Sequence, residues 1–87
     1  ITLVDFYADC CGPCRMIAPI VEKLSVDYNG KAKIAKLDIE AAQNTTANLN
    51  VTSIPTIIIF KDGKEFDRVV GLRDESTLKK MLDKALT

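Results

Sequence analysis

The sequence predicts an α/β domain built on one mixed β-sheet with helices on its faces. Its strand-like and helix-like segments follow the order β-α-β-α-β-β-α. The first β-α-β unit predicts a parallel pair of strands joined by a right-handed crossover. Near the other end, Asp62-Gly63 separates the strand-like runs Thr56–Phe60 and Glu65–Val70, which is typical of an antiparallel hairpin. We therefore expect a four-stranded sheet in a single domain spanning residues 1–87.

The first half of the chain predicts a buried strand followed by a long helix. Residues Thr2–Ala8 are mostly β-branched, aromatic and aliphatic, with Asp5 as the one charged interruption. Pro13 suits a first helical turn, where its missing N–H removes no hydrogen bond. Asn29-Gly30 is a typical helix end. The apolar positions between recur at three- and four-residue spacing: Ile17, Ile20, Val21, Leu24 and Tyr28.

The second half adds a strand and two further helices. Lys33–Ile39 alternates enough to be a strand, and Ala41–Leu49 predicts a short helix weakened by Asn and Thr. Asp74 can cap the last helix. The apolar stripe of that helix is predicted to comprise Leu78, Met81, Leu82, Ala85 and Leu86.

The composition excludes several classes of function. Hydrophobic residues make up 47% of the chain and charged residues 28%, which is typical of a globular protein. Twelve basic residues balance twelve acidic ones, so no basic excess is available to bind nucleic acid. The longest apolar run, around Ile57–Phe60, is too short to cross a membrane. The absence of histidine excludes Cys-His hydrolases, Ser-His-Asp triads and histidine metal sites.

All three cysteines, Cys10, Cys11 and Cys14, lie within five consecutive positions. They cannot connect distant parts of the chain, which predicts redox chemistry or metal binding in a reducing compartment. A complete four-thiolate zinc site would need a second cysteine pair, and the chain has none. We therefore expect no metal within one chain. The alternative is a metal or iron–sulfur module that uses the three thiols across a dimer.

Cys11 stands where the first strand gives way to the helix. Unpaired N–H groups and the positive end of the helix dipole favour the thiolate there, lowering the cysteine pKa and producing a nucleophile for disulfide exchange. Cys14 follows one helical turn later, and Gly12 and Pro13 keep the turn tight. The spacing thus supplies an attacking thiol and a resolving thiol.

The segments VDFYADCCGPCRMIAPIVEKL, KIAKLDIE and VTSIPTIIIFKDGKEFDRVVG resemble the thioredoxin family. The resemblance covers essentially the whole chain. It implies a thioredoxin fold and a protein-disulfide reductase that needs no cofactor in the domain itself. It also implies a cytoplasmic monomer whose partners are disulfide-containing proteins and a thioredoxin reductase using a flavin and a nicotinamide. The usual first strand and helix of the fold are missing, so we expect either a trimmed or a naturally shortened chain.

The resemblance assigns roles to two charged residues. Asp5 matches an aspartate that lies beneath the resolving cysteine and helps it lose its proton, and a buried carboxyl group does need such a reason. Lys36 matches a partly buried lysine that pairs with this aspartate and tunes its pKa. The alternatives are a solvent-facing Asp5 at a strand edge and a solvent-facing Lys36 on an alternating strand.

A second group of residues matches the family's substrate groove. Pro55, in the run Ser53-Ile54-Pro55-Thr56, matches the family's cis-proline, which faces the cysteine pair, and Ile54 would offer its backbone to an extended substrate. The resemblance places Ser53 and Thr56 beside them at the groove and makes Gly71 a small residue lining it. As alternatives, Pro55 starts a strand and Gly71 is an ordinary loop glycine.

Cys10 departs from the family pattern, because thioredoxins usually have Trp before the first active cysteine. Cys10 is either an additional redox thiol or a small substitute for the aromatic residue. An oxidase or isomerase on the same fold is a further alternative. The Gly-Pro dipeptide argues against it, because members with those roles usually carry a His between the cysteines.

Overall fold

The seven elements follow the predicted order in the computed structural model, which describes all residues from 1 to 87. Three elements are shorter than expected: the short second helix, and the first and second strands by one residue each. The bounds are β1 Thr2–Tyr7, α1 Gly12–Asp27, β2 Lys33–Asp38, α2 Gln43–Asn48, β3 Thr56–Lys61, β4 Lys64–Val70 and α3 Glu75–Ala85.

The sheet is mixed and four-stranded, in the order β2-β1-β3-β4. β1 pairs with β2 in parallel, and β1–β3 and β3–β4 are antiparallel. Asp62 and Gly63 connect β3 to β4 with φ values of 54° and 79°. Two successive positive φ values match the right-handed twist of the flanking strands. The predicted hairpin and mixed sheet are therefore confirmed.

Alternation along the strands gives the sheet two apolar faces. α1 and α3 cover one face, and the buried residues of this larger cluster include Leu3, Ile17, Val21, Leu24, Ile57, Ile59, Leu78 and Leu82. The other face carries a smaller cluster of Phe6, Val51 and Ile58 near α2. The predicted apolar stripe of α3 is buried except for Leu86. That side chain is 37% exposed because it follows the helix as its C-cap residue.

The caps at the helix N-termini explain where α3 and α2 begin. The Asp74 carboxylate accepts a hydrogen bond from the Thr77 N–H at 3.0 Å, which confirms the predicted cap of α3. α2 has no side-chain cap and no buried residue, so only its central six residues form helix. No helix in the structure is long and apolar enough to span a membrane.

A buried tyrosine connects α1 to α3. The Tyr28 hydroxyl donates a hydrogen bond to the Asp83 carboxylate at 2.7 Å. Burial, followed by this hydrogen bond and the Asp83 charge, raises the pKa of Tyr28 to about 12. On the adjacent surface Lys23 and Lys79 each contact both Asp27 and Glu75. Exposed ion pairs of this kind contribute little individually. Tyr28 is therefore the buried member of the polar connections between the two helices.

We predict that Tyr28→Phe lowers the free energy of unfolding by about 2 kcal/mol, because it removes one hydrogen bond to a charged group. Urea denaturation of the oxidised protein at pH 7 measures this. Tyr7→Phe is the matched control, since the Tyr7 hydroxyl forms no hydrogen bond within the protein. An equal loss of stability in both variants would contradict the assignment.

Candidate active site

The cysteine segment, residues 8–11, lies between the end of β1 and the start of α1. A turn closes with a hydrogen bond from the Cys11 N–H to the Ala8 carbonyl at 3.2 Å. Cys11 is the N-cap of α1, and its sulfur accepts a hydrogen bond from the Cys14 N–H at 3.2 Å. Pro13 occupies the first helical turn. The predicted position of Cys11 at a helix start is therefore confirmed.

Cys11 and Cys14 form a disulfide bond with their Cα atoms 5.2 Å apart. Cys14 is only 4% exposed, whereas Cys11 is half-buried. Cys10 is exposed and free. Cys11 is therefore the more accessible member of the disulfide.

Asp5 is fully buried on the face of β1 that α1 covers. Neither of its carboxylate oxygens has a hydrogen-bond partner within the protein. Burial raises the pKa of Asp5 from 3.8 to about 6, and the positive charge of Lys36 acts in the opposite direction. Solvent-facing placement of Asp5 is thus excluded.

Asp5 borders a cavity of about 140 Å³ that also reaches Cys14. The polar and charged side chains around it come from β1, the cysteine segment, α1 and β2. They are Asp5, Tyr7, Asp9, Cys14, Arg15 and Lys36. A buried carboxyl group and the buried member of the disulfide therefore share one cavity.

Lys36 departs from its expected position. The strand register places it beside Asp5, and neighbours in parallel strands point to the same face. Its side chain is nevertheless exposed, and the two residues form no ion pair. The ammonium instead lies 4.8 Å from the centroid of the Tyr7 ring. The solvent-facing alternative therefore describes the position of Lys36, and no direct pair with Asp5 forms, because a strongly hydrated ammonium stays at the surface instead of entering the cavity. Its influence on the pKa of Asp5 acts over a longer distance.

Pro55 is buried and follows a cis peptide bond, as expected from the resemblance. The Gly71 N–H donates a hydrogen bond to the Pro55 carbonyl at 2.8 Å. Gly71 has a φ of 93°, which favours glycine. The N–H and C=O of Ile54 form no backbone hydrogen bond within the protein. The Pro55 loop, residues 49–55 before β3, thus carries the free backbone groups of Ile54 next to Gly71.

Thr56 is placed differently from the expectation that it contacts substrate. Its side chain is 1% exposed, and its hydroxyl donates to the carbonyl of Ser53. That hydroxyl is therefore occupied in stabilising the turn before β3. Ser53 itself is exposed at the surface of the same turn.

The sheet register brings the cysteine pair and the predicted substrate groove to one end of the molecule. Phe6, near the end of β1, pairs with Thr56 at the start of β3. Thr56 also pairs with Val70, the last residue of β4. The cysteine segment that follows β1, the Pro55 loop and Gly71 therefore all extend from the same end of the sheet.

Comparison with known proteins gives matches over almost the whole chain. The family model described as Thioredoxin matches residues 1–84. The chain belongs to the thioredoxin family. Thioredoxins of Staphylococcus aureus strains Mu50 and MW2 are each 52% identical to it over 86 residues, which is 99% of this chain and 83% of the relative. The solved structure of a mutant thioredoxin from Halobacterium salinarum NRC-1 has a TM-score of 0.91 at 40% identity, covering 99% of this chain and 74% of the other.

Family membership and the cysteine pair together establish the activity. The chain is a thiol–disulfide oxidoreductase with a redox-active disulfide, and it acts as a protein-disulfide reductase. The predicted fold is likewise confirmed as the thioredoxin fold. No group of three or more Cys, Asp or Glu side chains is placed to hold a metal ion.

Tyr7 is a member of this thioredoxin site that sequence reasoning missed. The sequence pattern marks it only as one of the aromatic residues of β1, yet it lines the Asp5 cavity and contacts Lys36. A signal was present, since residues 5 and 7 of a strand face the same side.

The raised pKa of Asp5 predicts a specific pH dependence of stability. Between pH 3.8 and about 6 the folded protein binds the Asp5 proton more tightly than the unfolded chain does. The contribution of the Asp5 proton to the free energy of unfolding is therefore fully present below pH 3.8 and is lost as the pH rises through about 6. A shift of about two pKa units corresponds to roughly 3 kcal/mol. We expect Asp5→Asn to be more stable than the wild type at pH 8 by up to that amount, with the difference vanishing near pH 4.

Urea denaturation of the oxidised proteins between pH 4 and pH 8 measures this difference. Asp62→Asn is the control, because Asp62 is exposed in the hairpin turn. It should retain the pH dependence of the wild type. A constant difference between wild type and Asp5→Asn across this range would show that Asp5 does not titrate as described.

Proposed function

We propose that Cys11 is the attacking cysteine and Cys14 the resolving cysteine in the reduction of protein disulfides. The single observation that carries this assignment is the position of Cys11 as the N-cap of α1, at the more accessible end of the pair. The helix N-terminus stabilises negative charge on its sulfur in the reduced protein. Cys14 is almost completely buried, which suits a thiol that reacts only with its neighbour.

The reaction consists of two exchanges. The Cys11 thiolate attacks one sulfur of the substrate disulfide, whose S–S bond breaks as the Cys11–substrate bond forms, and the other substrate sulfur leaves as a thiolate. Cys14 then loses its proton and attacks the Cys11 sulfur. The Cys11–Cys14 bond forms, the bond to substrate breaks, and the second substrate sulfur leaves. Two electrons have passed from the dithiol to the substrate.

Asp5 is proposed to accept the proton of Cys14. A pKa of about 6 keeps the carboxyl group mostly deprotonated at neutral pH while making it a stronger base than an ordinary aspartate. Both residues border the 140 Å³ cavity. A water molecule occupies about 30 Å³ of liquid, so the cavity has room for water to carry the proton between them. Lys36 adjusts the basicity of Asp5 through its charge.

The Pro55 loop is proposed to bind the substrate chain. The free N–H and C=O of Ile54 can pair with an extended segment on either side of the substrate cysteine. Pro55 has no N–H and so cannot donate a hydrogen bond to the Cys11 thiolate. Gly71 leaves space for the segment, and Ser53 lies at its exposed margin. Cys10 lies outside this machinery as a spare thiol.

The family acts generally on disulfide-containing substrates and is reduced by thioredoxin reductases. For this chain we propose that a flavin-dependent reductase using a nicotinamide restores the dithiol, and that residues 1–87 act as one monomeric domain. The single sheet with its continuous main core supports the one-domain description. Three thiols in one short segment support a reducing location, the cytoplasm.

We predict that Cys11→Ser abolishes reduction of insulin disulfides, because it removes the nucleophile. Cys14→Ser should retain the first exchange and accumulate the mixed disulfide, which mass spectrometry detects as a covalent adduct at Cys11. Turnover is measured by the turbidity of reduced insulin with dithiothreitol as electron donor. An adduct at Cys10 instead of Cys11 would contradict the assignment.

Cys10→Ser is the matched control, since it replaces the neighbouring exposed thiol by the same residue. We expect it to retain most of the wild-type turnover. A loss comparable to that of Cys11→Ser would make Cys10 part of the reaction and overturn the two-cysteine scheme.

A further inference from the structure

Tyr7 connects the charged surface of β2 to the buried carboxyl group of β1. We propose that Tyr7 is a positioning residue that holds the Lys36 ammonium at the mouth of the Asp5 cavity and thereby sets the rate at which Cys14 resolves the mixed disulfide. The inference rests on the roles proposed above for Asp5 and Cys14.

Strand geometry places the three side chains on one face of the sheet. Asp5 and Tyr7 are two residues apart on β1, so both point toward the side that α1 covers. Lys36 is the register partner of Asp5 on β2. All three line the cavity that Cys14 also borders. The Tyr7 ring therefore lies next along the strand from Asp5, within reach of the neighbouring lysine.

The contact between Lys36 and Tyr7 has the geometry of a cation–π interaction. The 4.8 Å from the ammonium to the ring centroid lies within the range of about 6 Å over which the ring attracts a cation. An exposed lysine on an outer strand otherwise samples many rotamers that extend into solvent. The half-buried ring restricts Lys36 to conformations in which its charge stays near the cavity.

Holding the charge there matters because Asp5 has no partner of its own. Coulomb attraction decreases with distance and is weakened by water, so an ammonium released into solvent would stabilise the Asp5 carboxylate less. Asp5 would then remain protonated to higher pH. A protonated Asp5 cannot accept the proton that Cys14 must lose before it attacks Cys11.

The other groups facing Asp5 do not replace Lys36. The Arg15 guanidinium is turned toward the cysteine segment, where its Nε donates to the Asp9 carbonyl at 3.1 Å. Asp9 is an acidic residue and supplies no positive charge, and Cys14 is the reacting thiol. β3 contributes Ile57 as the register partner of Asp5, which does not titrate. Among the cations of the cavity, Lys36 is the one whose charge lowers the pKa of Asp5.

The test separates the two exchanges in one experiment. Reduced protein is mixed in a stopped-flow instrument with one equivalent of dithiobis-nitrobenzoate, an aromatic disulfide whose thiolate products absorb light. Attack by Cys11 releases the first thiolate and resolution by Cys14 releases the second. All variants carry Cys10→Ser so that the exposed thiol cannot react with the reagent.

We expect Tyr7→Leu to slow the second phase at pH 6 while leaving the first phase unchanged. An upward shift of about 0.5 unit in the pKa of Asp5 lowers its deprotonated fraction about twofold at that pH. The midpoint of the pH profile should move upward, and the rates should converge at pH 8. Tyr7→Phe keeps the ring and should behave as the parent. Phe66→Leu is the control, since it removes the ring that Lys61 contacts at 5.5 Å, away from the site.

The decisive comparison is made in a Lys36→Met background. If Tyr7 acts through Lys36, Tyr7→Leu causes no further slowing there. Lys36 is exposed, so we expect Lys36→Met to fold as the parent does. An effect of Tyr7→Leu that comes from lowered stability would be the same with and without Lys36, and the comparison therefore separates it from the proposed effect. Equal slowing by Tyr7→Leu with and without Lys36, or an unchanged second phase in Tyr7→Leu, overturns the proposal.

If Asp5→Asn also leaves the second phase unchanged, the proposed role of Asp5 fails as well. If only Asp5→Asn slows it, the Tyr7 inference alone is wrong.

Discussion

The central position of β1 is the constraint on which both the core and the site depend. β1 is hydrogen-bonded to β2 on one side and to β3 on the other, and it leads directly into the cysteine segment. Its alternation places Leu3 in the core under α1 and Asp5 beside the cavity on the same face. A slip of one residue in its register would turn both to the opposite face. The apolar packing of the strand therefore also fixes the position of the carboxyl group.

Burying Asp5 without a partner opposes folding at neutral pH, because its charged form is poorly solvated. Burial of apolar residues around Asp5 compensates for this cost in free energy. Leu3 and Ile57 are fully buried on the same face, and α1 covers them with Ile17 and Val21. The same burial gives the carboxyl group the basicity that its proposed role as proton acceptor for Cys14 requires. Stability and reactivity thus place opposite demands on one residue, and the surrounding core allows the fold to tolerate the conflict.

The sequence predicted features that depend on local chemistry. Asp62-Gly63 suits a hairpin turn with positive φ, and Pro13 suits a first helical turn, so both elements could be located without a structure. Features that depend on contacts between distant residues were harder to predict. The burial of Thr56 and the exposure of Leu86 follow from how turns and helix ends pack. The cis bond before Pro55 could be predicted only from the family resemblance, because local chemistry alone favours the trans form.

The separation between Lys36 and Asp5 illustrates why such contacts matter for function. A direct ion pair typically lowers the pKa of an aspartate by about one to three units, which would make Asp5 a weak proton acceptor. Burial without any nearby cation would instead keep Asp5 protonated further into the neutral range. Burial opposed by the charge of the nearby Lys36 gives an intermediate balance, with the pKa of Asp5 raised to about 6. The carboxyl group is then largely charged at neutral pH but still able to take a proton. The absence of a direct ion pair between Lys36 and Asp5 is therefore consistent with the proton-accepting role proposed for Asp5.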